Sequence, residues 1–455
     1  MAGSDAAALA ASYELAWALP FVGWLLTMGL APLVAPRLWQ AHYGKLAALW
    51  AAAFLLPDAF FHGARAMLAG LFATAVEQYL PFALLLGAFF VIAGGLRLTG
   101  TPRGTPGVNT ALLAIGVLLA SVIGTVGAAL LMVRPLVRAN RHRGAATHVF
   151  VFFIFLVANL GGALTPLGNP PLLLGYLKGV PFFWPAVHLA LPTAVLAGGL
   201  LATFYALDRF LHRRRRAAPS VLAEPVLAEI ERLGIEGAIN LPLLALAILA
   251  LMLRLWWPSG AGITLVGVTW PYEAMATDGL LIVAGLLSLR LTRPAIRRAN
   301  DFAWAPLAEV AIVFAAIFIT LIPVTAMLTA GRDGPLAPLI AHLWQNGAPD
   351  NPLFYRATGV LSALLDNAPT YLMVFGVAGN DAAHLTGPLA STLAAISAGA
   401  VYFGGLTYIG NSPNLMVKAI VESQGLRMPS FFGYVGWGLI CLLPWLLVVE
   451  AIFFH

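Results

Sequence analysis

Charge is what this chain has least of. Only 10% of its 455 residues are Asp, Glu, Lys or Arg, where a soluble domain carries about 25%. That excludes an ordinary soluble globular protein. Cysteine is scarcer still. Cys441 stands alone in an apolar run, which rules out an intramolecular disulfide and reads as a small buried hydrophobe. The nine His are scattered without metal-ligand spacing, and there is no phosphate-binding glycine loop, nucleophile elbow or Cys/His cluster. An enzyme is not expected. The basic residues cluster in short loops without interleaved aromatics, which argues against nucleic acid as a partner. Residues 1–14 hold Asp5 and Glu14 and no basic stretch, so the first apolar run is expected to be a retained helix.

What is plentiful is apolar sequence, 60% of the chain. Two interruptions of it organise the rest. One is Thr165-Pro166-Leu167-Gly168-Asn169-Pro170-Pro171 and the other is Thr407-Tyr408-Ile409-Gly410-Asn411-Ser412-Pro413. Gly, Pro and Asn are poor residues for a helix interior. Backbone unwound at membrane depth is tolerated only inside protein or along a cavity. Two such breaks in corresponding places of two halves point to a transporter binding site.

The predicted fold is an all-α polytopic membrane protein. Spans fall at about 15–35, 44–60, 80–96, 184–207, 240–256, 277–291, 304–328 and 432–454, with an interfacial helix at 66–77. Residues 105–136 and 355–379 read as re-entrant hairpins with polar tips at Gly124-Thr125 and Asp366-Asn367. The broken helices cover 147–178 and 388–423. Suppose each hairpin returns to the side it entered. Then Arg37/Lys45, Arg97/Arg103, Arg138–Arg143, Arg209–Arg216 and Arg290–Arg298 share one side, the cytoplasmic one. The N-terminus is then outside. Residues 1–208 form a first repeat and 239–455 a second of inverted topology, each with about five spans and one hairpin. Residues 209–238 form a cytoplasmic linker, in which 221–233 reads equally as an amphipathic surface helix or a plain tether.

The repeat is visible directly. Asn411 follows Asn169 by 242 residues, and at that offset residues 162–173 match 404–415 at seven of twelve positions. The same offset sets Gly124-Thr125 on Asp366-Asn367.

Four groups of residues could carry chemistry. Carbonyls freed at the breaks, with the oxygens of Thr165, Asn169, Thr407, Asn411 and Ser412, suit a hard cation such as Na⁺; half-helix N-termini suit an anion. Gly168 and Gly410 supply the unwinding, although a plain kink satisfied by neighbours is the bland alternative. Asp366 is a carboxylate in an apolar run, either an ion-handling group or the cap of a half-helix that starts near Pro369, or both. Ser121, Thr125 and Asn367 flank the tips, and Glu309, about two turns into its span, reads equally as part of a proton path or as a cavity wall. Asn159, Thr320, Thr370 and Tyr371 are open to ordinary helix–helix hydrogen bonding. Glu77, Lys178, Asp208 and Lys418 read as snorkelling side chains at span ends, and His148 as interfacial.

These motifs resemble the ion transporter superfamily, which holds the NhaD-type sodium/proton antiporters, the arsenite exporters, the citrate-metal symporters and the divalent-anion/sodium symporters. The resemblance spans nearly the whole chain. It implies an elevator-type homodimer whose hairpin tips and broken helices move together. Leu364-Leu365-Asp366-Asn367-Ala368-Pro369 looks like the tip of the antiporter branch, whereas the Ser-Asn-Thr tips of the carboxylate symporters are replaced here, the first by Ser121-Val122-Ile123-Gly124-Thr125. The leading expectation is therefore Na⁺/H⁺ antiport. Asp366 would be shared between proton and cation, with Glu309 as a second acid and Asn169 and Asn411 as further Na⁺ ligands. The alternative is a Na⁺-coupled citrate or dicarboxylate symporter. No cofactor is expected, Na⁺ being the transported or coupling ion; the partners are lipid, Na⁺, H⁺ and in the alternative a carboxylate, and the expected location is the bacterial inner membrane.

Overall fold

The computed structural model describes residues 13–100, 103–143, 146–216, 234–257, 259–330, 334–345 and 347–455. Among them, eight helical segments are long and apolar enough to cross a membrane. The chain is an all-α polytopic membrane protein. Its first helices are α1 (Leu19–Val34), α2 (Pro36–Phe61), α3 (Ala64–Ala93) and α4 (Pro106–Asn140). There follow α5 (Thr147–Leu156), α6 (Pro170–Leu177), α7 (Trp184–Arg216), α8 (Asn240–Trp256), α9 (Tyr272–Leu291) and α10 (Ala305–Thr329). After these come α11 (Asn351–Leu365), α12 (Asn367–Val377), α13 (Ala390–Tyr402), α14 (Ser412–Ser423) and α15 (Phe431–Phe453), with short helical turns at Pro294–Ala299, Ala337–His342 and Ala382–Thr386 between the longer elements.

Two of these segments turn back on themselves. A straight helix the length of α4 would run about 50 Å at about 1.5 Å per residue. Yet Asn109 and Asn140, near its two ends, exchange side-chain amide bonds of 3.0 and 2.9 Å. The fold-back is at Gly124, whose φ of 77° and ψ of 155° lie outside the helical region. Asp366 takes almost the same angles, φ 87° and ψ 148°, between α11 and α12.

The helices pack in two groups. In one, α2 lies on α1 and α10, and α9 lies on α3 and α8. In the other, α4, α5 and α7 pack together, α13 packs on α11 and α12, and α14 packs on α4 and α5. The groups meet where α3 touches α4, α10 touches α12 and α1 touches α11.

At one end of the molecule the basic loops are tied to each other. Strand β1 (Arg97–Thr99) pairs antiparallel with β2 (Gly234–Glu236). Arg138 donates to Leu98 O at 2.8 Å, Arg297 to Val91 O at 2.9 Å, and Arg134 pairs with Asp301 at 3.0 Å. A second ribbon, β3 (Gly262–Leu265) with β4 (Val268–Pro271), turns at Val266-Gly267, where both residues have positive φ.

Some boundaries differ from the sequence expectation. α2 starts at Pro36, so Lys45 lies within the helix and not in a loop. The expected interfacial helix at 66–77 and span at 80–96 are one helix. Pro81 has no N–H and crowds the turn before it. The chain absorbs this as a π turn over Ala75–Tyr79, where Leu80 N reaches Ala75 O, and continues. The linker segment 221–233 lies outside the described residues.

Candidate functional site

The site is built where two non-helical stretches cross two tips. After α5 the chain makes a short 3₁₀ turn at Leu160–Ala163 and enters α6 through Asn169, which is extended at φ −148°. After α13 it makes the same turn at Phe403–Leu406 and enters α14 through Asn411, extended at φ −159°. Pro170-Pro171 and Pro413 occupy the first turns of the new helices, where a missing N–H costs nothing. Glycine is required by the close crossing of each stretch on itself. A Cβ on Gly168 would sit 2.3 Å from Gly162 O, and one on Gly410 would sit 2.7 Å from Gly404 O.

A threonine fastens each stretch to its tip. Thr165 Oγ1 donates to Ser121 O, and Thr407 Oγ1 to Ala363 O at 2.5 Å; both threonines and both carbonyls are related by the offset of 242. The same hydroxyls accept from Leu167 N at 3.2 Å and Gly410 N at 3.0 Å. Thr125 N closes the first crossing onto Gly168 O at 2.9 Å, and Ser121 Oγ donates to Gly161 O at 2.5 Å.

Buried amides join the two stretches. Asn159 donates to Asn414 Oδ1 at 2.8 Å and accepts from Asn411 Nδ2 at 3.2 Å. Asn411 also reaches Ala158 O at 2.9 Å, and Asn414 reaches Gly404 O and Thr407 O at 2.8 and 2.9 Å. Asn367 Nδ2, at the second tip, donates to Asn169 Oδ1 at 2.9 Å. Its own Oδ1 is buried and, among the described residues, has no donor. A buried acceptor without a donor costs about 1–3 kcal/mol unless something occupies it.

Asp366 is 7% exposed. It caps α12 by accepting from Ala368 N at 3.2 Å, and Ser412 Oγ lies 3.5 Å from its other oxygen. It lines a cavity of ≈ 880 Å³ between the two helix groups, together with Thr125, Asn411, Ser412 and Glu309. Arg134, Asp301 and Lys418 belong to the same lining; Asp301 is 73% exposed in its side chain and marks the mouth. Glu309 is half-buried one turn into α10, not two, and accepts from Trp39 Nε1 at 2.8 Å.

The sequence-predicted residues therefore divide. Thr125, Asp366, Asn411, Ser412 and Glu309 face the cavity. Asn169 and Asn367 are bonded together behind it, and the hydroxyls of Ser121, Thr165 and Thr407 are spent on backbone carbonyls. Asn414 was missed; its signal is a second Asn three residues after Asn411 in an apolar run. Asp208 and His148 are not free snorkelling side chains: Asp208 is 0% and His148 4% exposed. Both are buried and lie 2.9 Å apart, because Arg143 and Asn109 also converge on the Asp208 carboxylate.

A polytopic helical protein with a polar, buried site at the end of a cavity between two helix groups has an architecture that suits a transporter. A family profile described as "Putative citrate transport" matches residues 10–454, nearly the whole chain, and the chain belongs to that family. No curated protein matches it.

Proposed function

We propose that the chain is a cation-coupled secondary transporter of a small carboxylate anion of the citrate kind, with Asp366 as the coupling group. The observation that carries this is the second tip. An acid occupies a backbone conformation that is essentially reserved for glycine, and the first tip has Gly124 in that place. Beside the acid lies the undonated Oδ1 of Asn367. A carboxylate and neutral amide oxygens are a hard-cation set, so Asp366, Asn367, Asn169 and Asn411 would hold Na⁺. Proton and cation would compete for Asp366, with Glu309 as an ancillary acid of the cavity wall. The N-terminus of α14, at Ser412 in the cavity lining, would receive a carboxylate of the substrate.

The architecture fits an inverted repeat of 1–208 and 239–455. It is supported by the matched angles at Gly124 and Asp366 and by the matched Thr165 and Thr407 bonds. The basic loops bound to one another support a common side for them, which the positive-inside tendency makes cytoplasmic. The cavity mouth at Arg134 and Asp301 then opens inward. An elevator movement of the tip-bearing group, a homodimer and a bacterial inner-membrane location follow from the resemblance and belong to this proposal.

A second reading is Na⁺/H⁺ antiport without an anion. It is favoured by Asp366, the buried acid of the cavity lining, and by the pairing of Arg134 in that lining with Asp301. Proteoliposomes separate the two. Citrate or succinate uptake that requires Na⁺, with no proton movement on Na⁺ alone, supports the symporter. Na⁺-driven proton movement without an anion supports the antiporter. Neither response in sealed, correctly oriented vesicles would refute both.

A further inference from the structure

Two buried acids lie far from the cavity, and neither reading uses them. Asp208, on α7, is 0% exposed, and Glu450, on α15, is 4% exposed. They are separated by 242 residues, the offset that relates the tips and the breaks. Each sits on the long helix that follows a break, toward its C-terminal end, and each holds an arginine.

The two arginines are not related by the offset. Arg143 follows α4, the first folded-back segment. It gives Nη2 to Asp208 Oδ1 at 2.5 Å and Nη1 to Oδ2 at 3.0 Å. His148 Nε2 lies 2.9 Å from the same Oδ1, and Asn109 Nδ2 donates to Oδ2 at 3.1 Å. Asn109 and Asn140 in turn join the two legs of α4 at its base. Arg356 lies instead on α11, ten residues before Asp366. It gives Nε to Glu450 Oε1 at 2.7 Å and Nη2 to the same oxygen. The Arg356 side chain is 55% exposed, and Glu450 Oε2 is buried with no partner among the described residues.

A matched acid whose cation comes from a different place in each half is hard to explain by sequence duplication alone. What the two arrangements share is mechanical. In each, the folded-back segment is anchored to the helix that follows its break. We propose that Asp208 and Glu450 are paired positioning residues: each clamps the base of one hairpin, and so fixes the height of its tip against the crossing strand. Arg356 is about 15 Å from Asp366 along a continuous helix, at about 1.5 Å per residue. A shift at the clamp is therefore carried to the tip with little loss. The inference rests on the tips being the coupling site.

The test uses the full chain in proteoliposomes and reads half-saturating cation concentration separately from maximal rate. Glu450→Gln and Asp208→Asn are each expected to raise the half-saturating cation concentration, by about 2- to 30-fold, the range that packed elements carry between distant sites, with little change in maximal rate. Asp208→Asn leaves the Arg143 side chain, only 11% exposed, without its charge partner, and Glu450→Gln leaves Arg356, 55% exposed, without its own, so the double variant Arg356→Met with Glu450→Met decides the question. It removes both charges, which is often neutral for stability. It should melt near the parent temperature and still show the raised cation requirement. A well-folded double variant with the parent cation requirement would overturn the proposal. Asp366→Asn, run in parallel, keeps the failures apart. If it retains cation dependence, the coupling assignment is wrong, while the clamps are still read on the half-saturating anion concentration.

Discussion

Asp366→Gly tests the proposed coupling group by removing it while making the protein easier to fold. Asp366 holds φ 87° and ψ 148°, a region that costs a non-glycine residue about 1–3 kcal/mol. Glycine takes it freely, as Gly124 does in the first half. Against that relief stand the lost cap to Ala368 N, a few tenths of a kcal/mol when glycine replaces a capping residue, and about 0.5–1 kcal/mol of added chain entropy in the unfolded state. The sum leaves the variant between about equal and about 2 kcal/mol more stable than the parent. Its function should move the other way. A carboxylate about 4 Å from a monovalent cation contributes about 4 kcal/mol at an effective dielectric near 20. At about 1.36 kcal/mol per decade, that approaches a thousandfold in cation affinity. Solvent in the cavity screens part of it, so we expect at least about a hundredfold rise in half-saturating cation concentration. Asp366→Asn is the companion. It has the same shape and capping ability and the same strain, so its stability should stay within about 1 kcal/mol while its coupling fails like that of the glycine variant. Thermal melting in detergent and ion-gradient transport in vesicles read the two effects separately. A glycine variant that melts well below the parent would refute the strain argument. One that keeps cation-dependent transport would refute the coupling assignment.

Gly168→Ala should destabilise by about 2–3 kcal/mol and Gly404→Ala by about 1 kcal/mol, since a Cβ would meet backbone of the facing turn at 2.3 and 3.0 Å; melting temperature reports both. Asn159→Ala leaves the buried Asn414 Oδ1 without its donor, while Asn411 Nδ2 keeps Ala158 O, and should cost about 1–3 kcal/mol in a denaturation series. Glu309→Gln keeps an oxygen for Trp39 Nε1 and changes only a half-buried charge, so half-saturating cation concentration should move less than about fivefold in the transport assay. Competition of proton and cation for Asp366 makes the half-saturating cation concentration rise as pH falls, by up to about tenfold per unit, in vesicles of fixed membrane potential.

The sequence is informative here wherever the membrane makes a local rule expensive to break. The two non-helical stretches lie where Gly, Pro and Asn interrupt apolar runs, because unwound backbone in lipid needs such residues and such shelter. The convergence of Thr125, Asp366, Asn411 and Ser412 on one cavity follows from the same pattern. Features that depend on a distant partner left no such mark. Asp208 reads as a snorkelling acid at a span end, because its partners Asn109, Arg143 and His148 approach it from distant segments. The continuity of α3 was hidden because Pro81 looks like a helix start, and only backbone geometry reveals the π turn that absorbs it. The offset of 242 sorts these cases further. Thr165 and Thr407 share both residue type and hydrogen bond, as duplicated architecture should. Gly124 and Asp366 share backbone angles and differ in side chain. A duplicated backbone that keeps a strained acid where its twin has glycine retains a cost that folding does not require. Asp366 also caps α12 through Ala368 N, and on the proposed function its charge is the further reason to keep it, so the coupling chemistry would belong to the second tip rather than evenly to both.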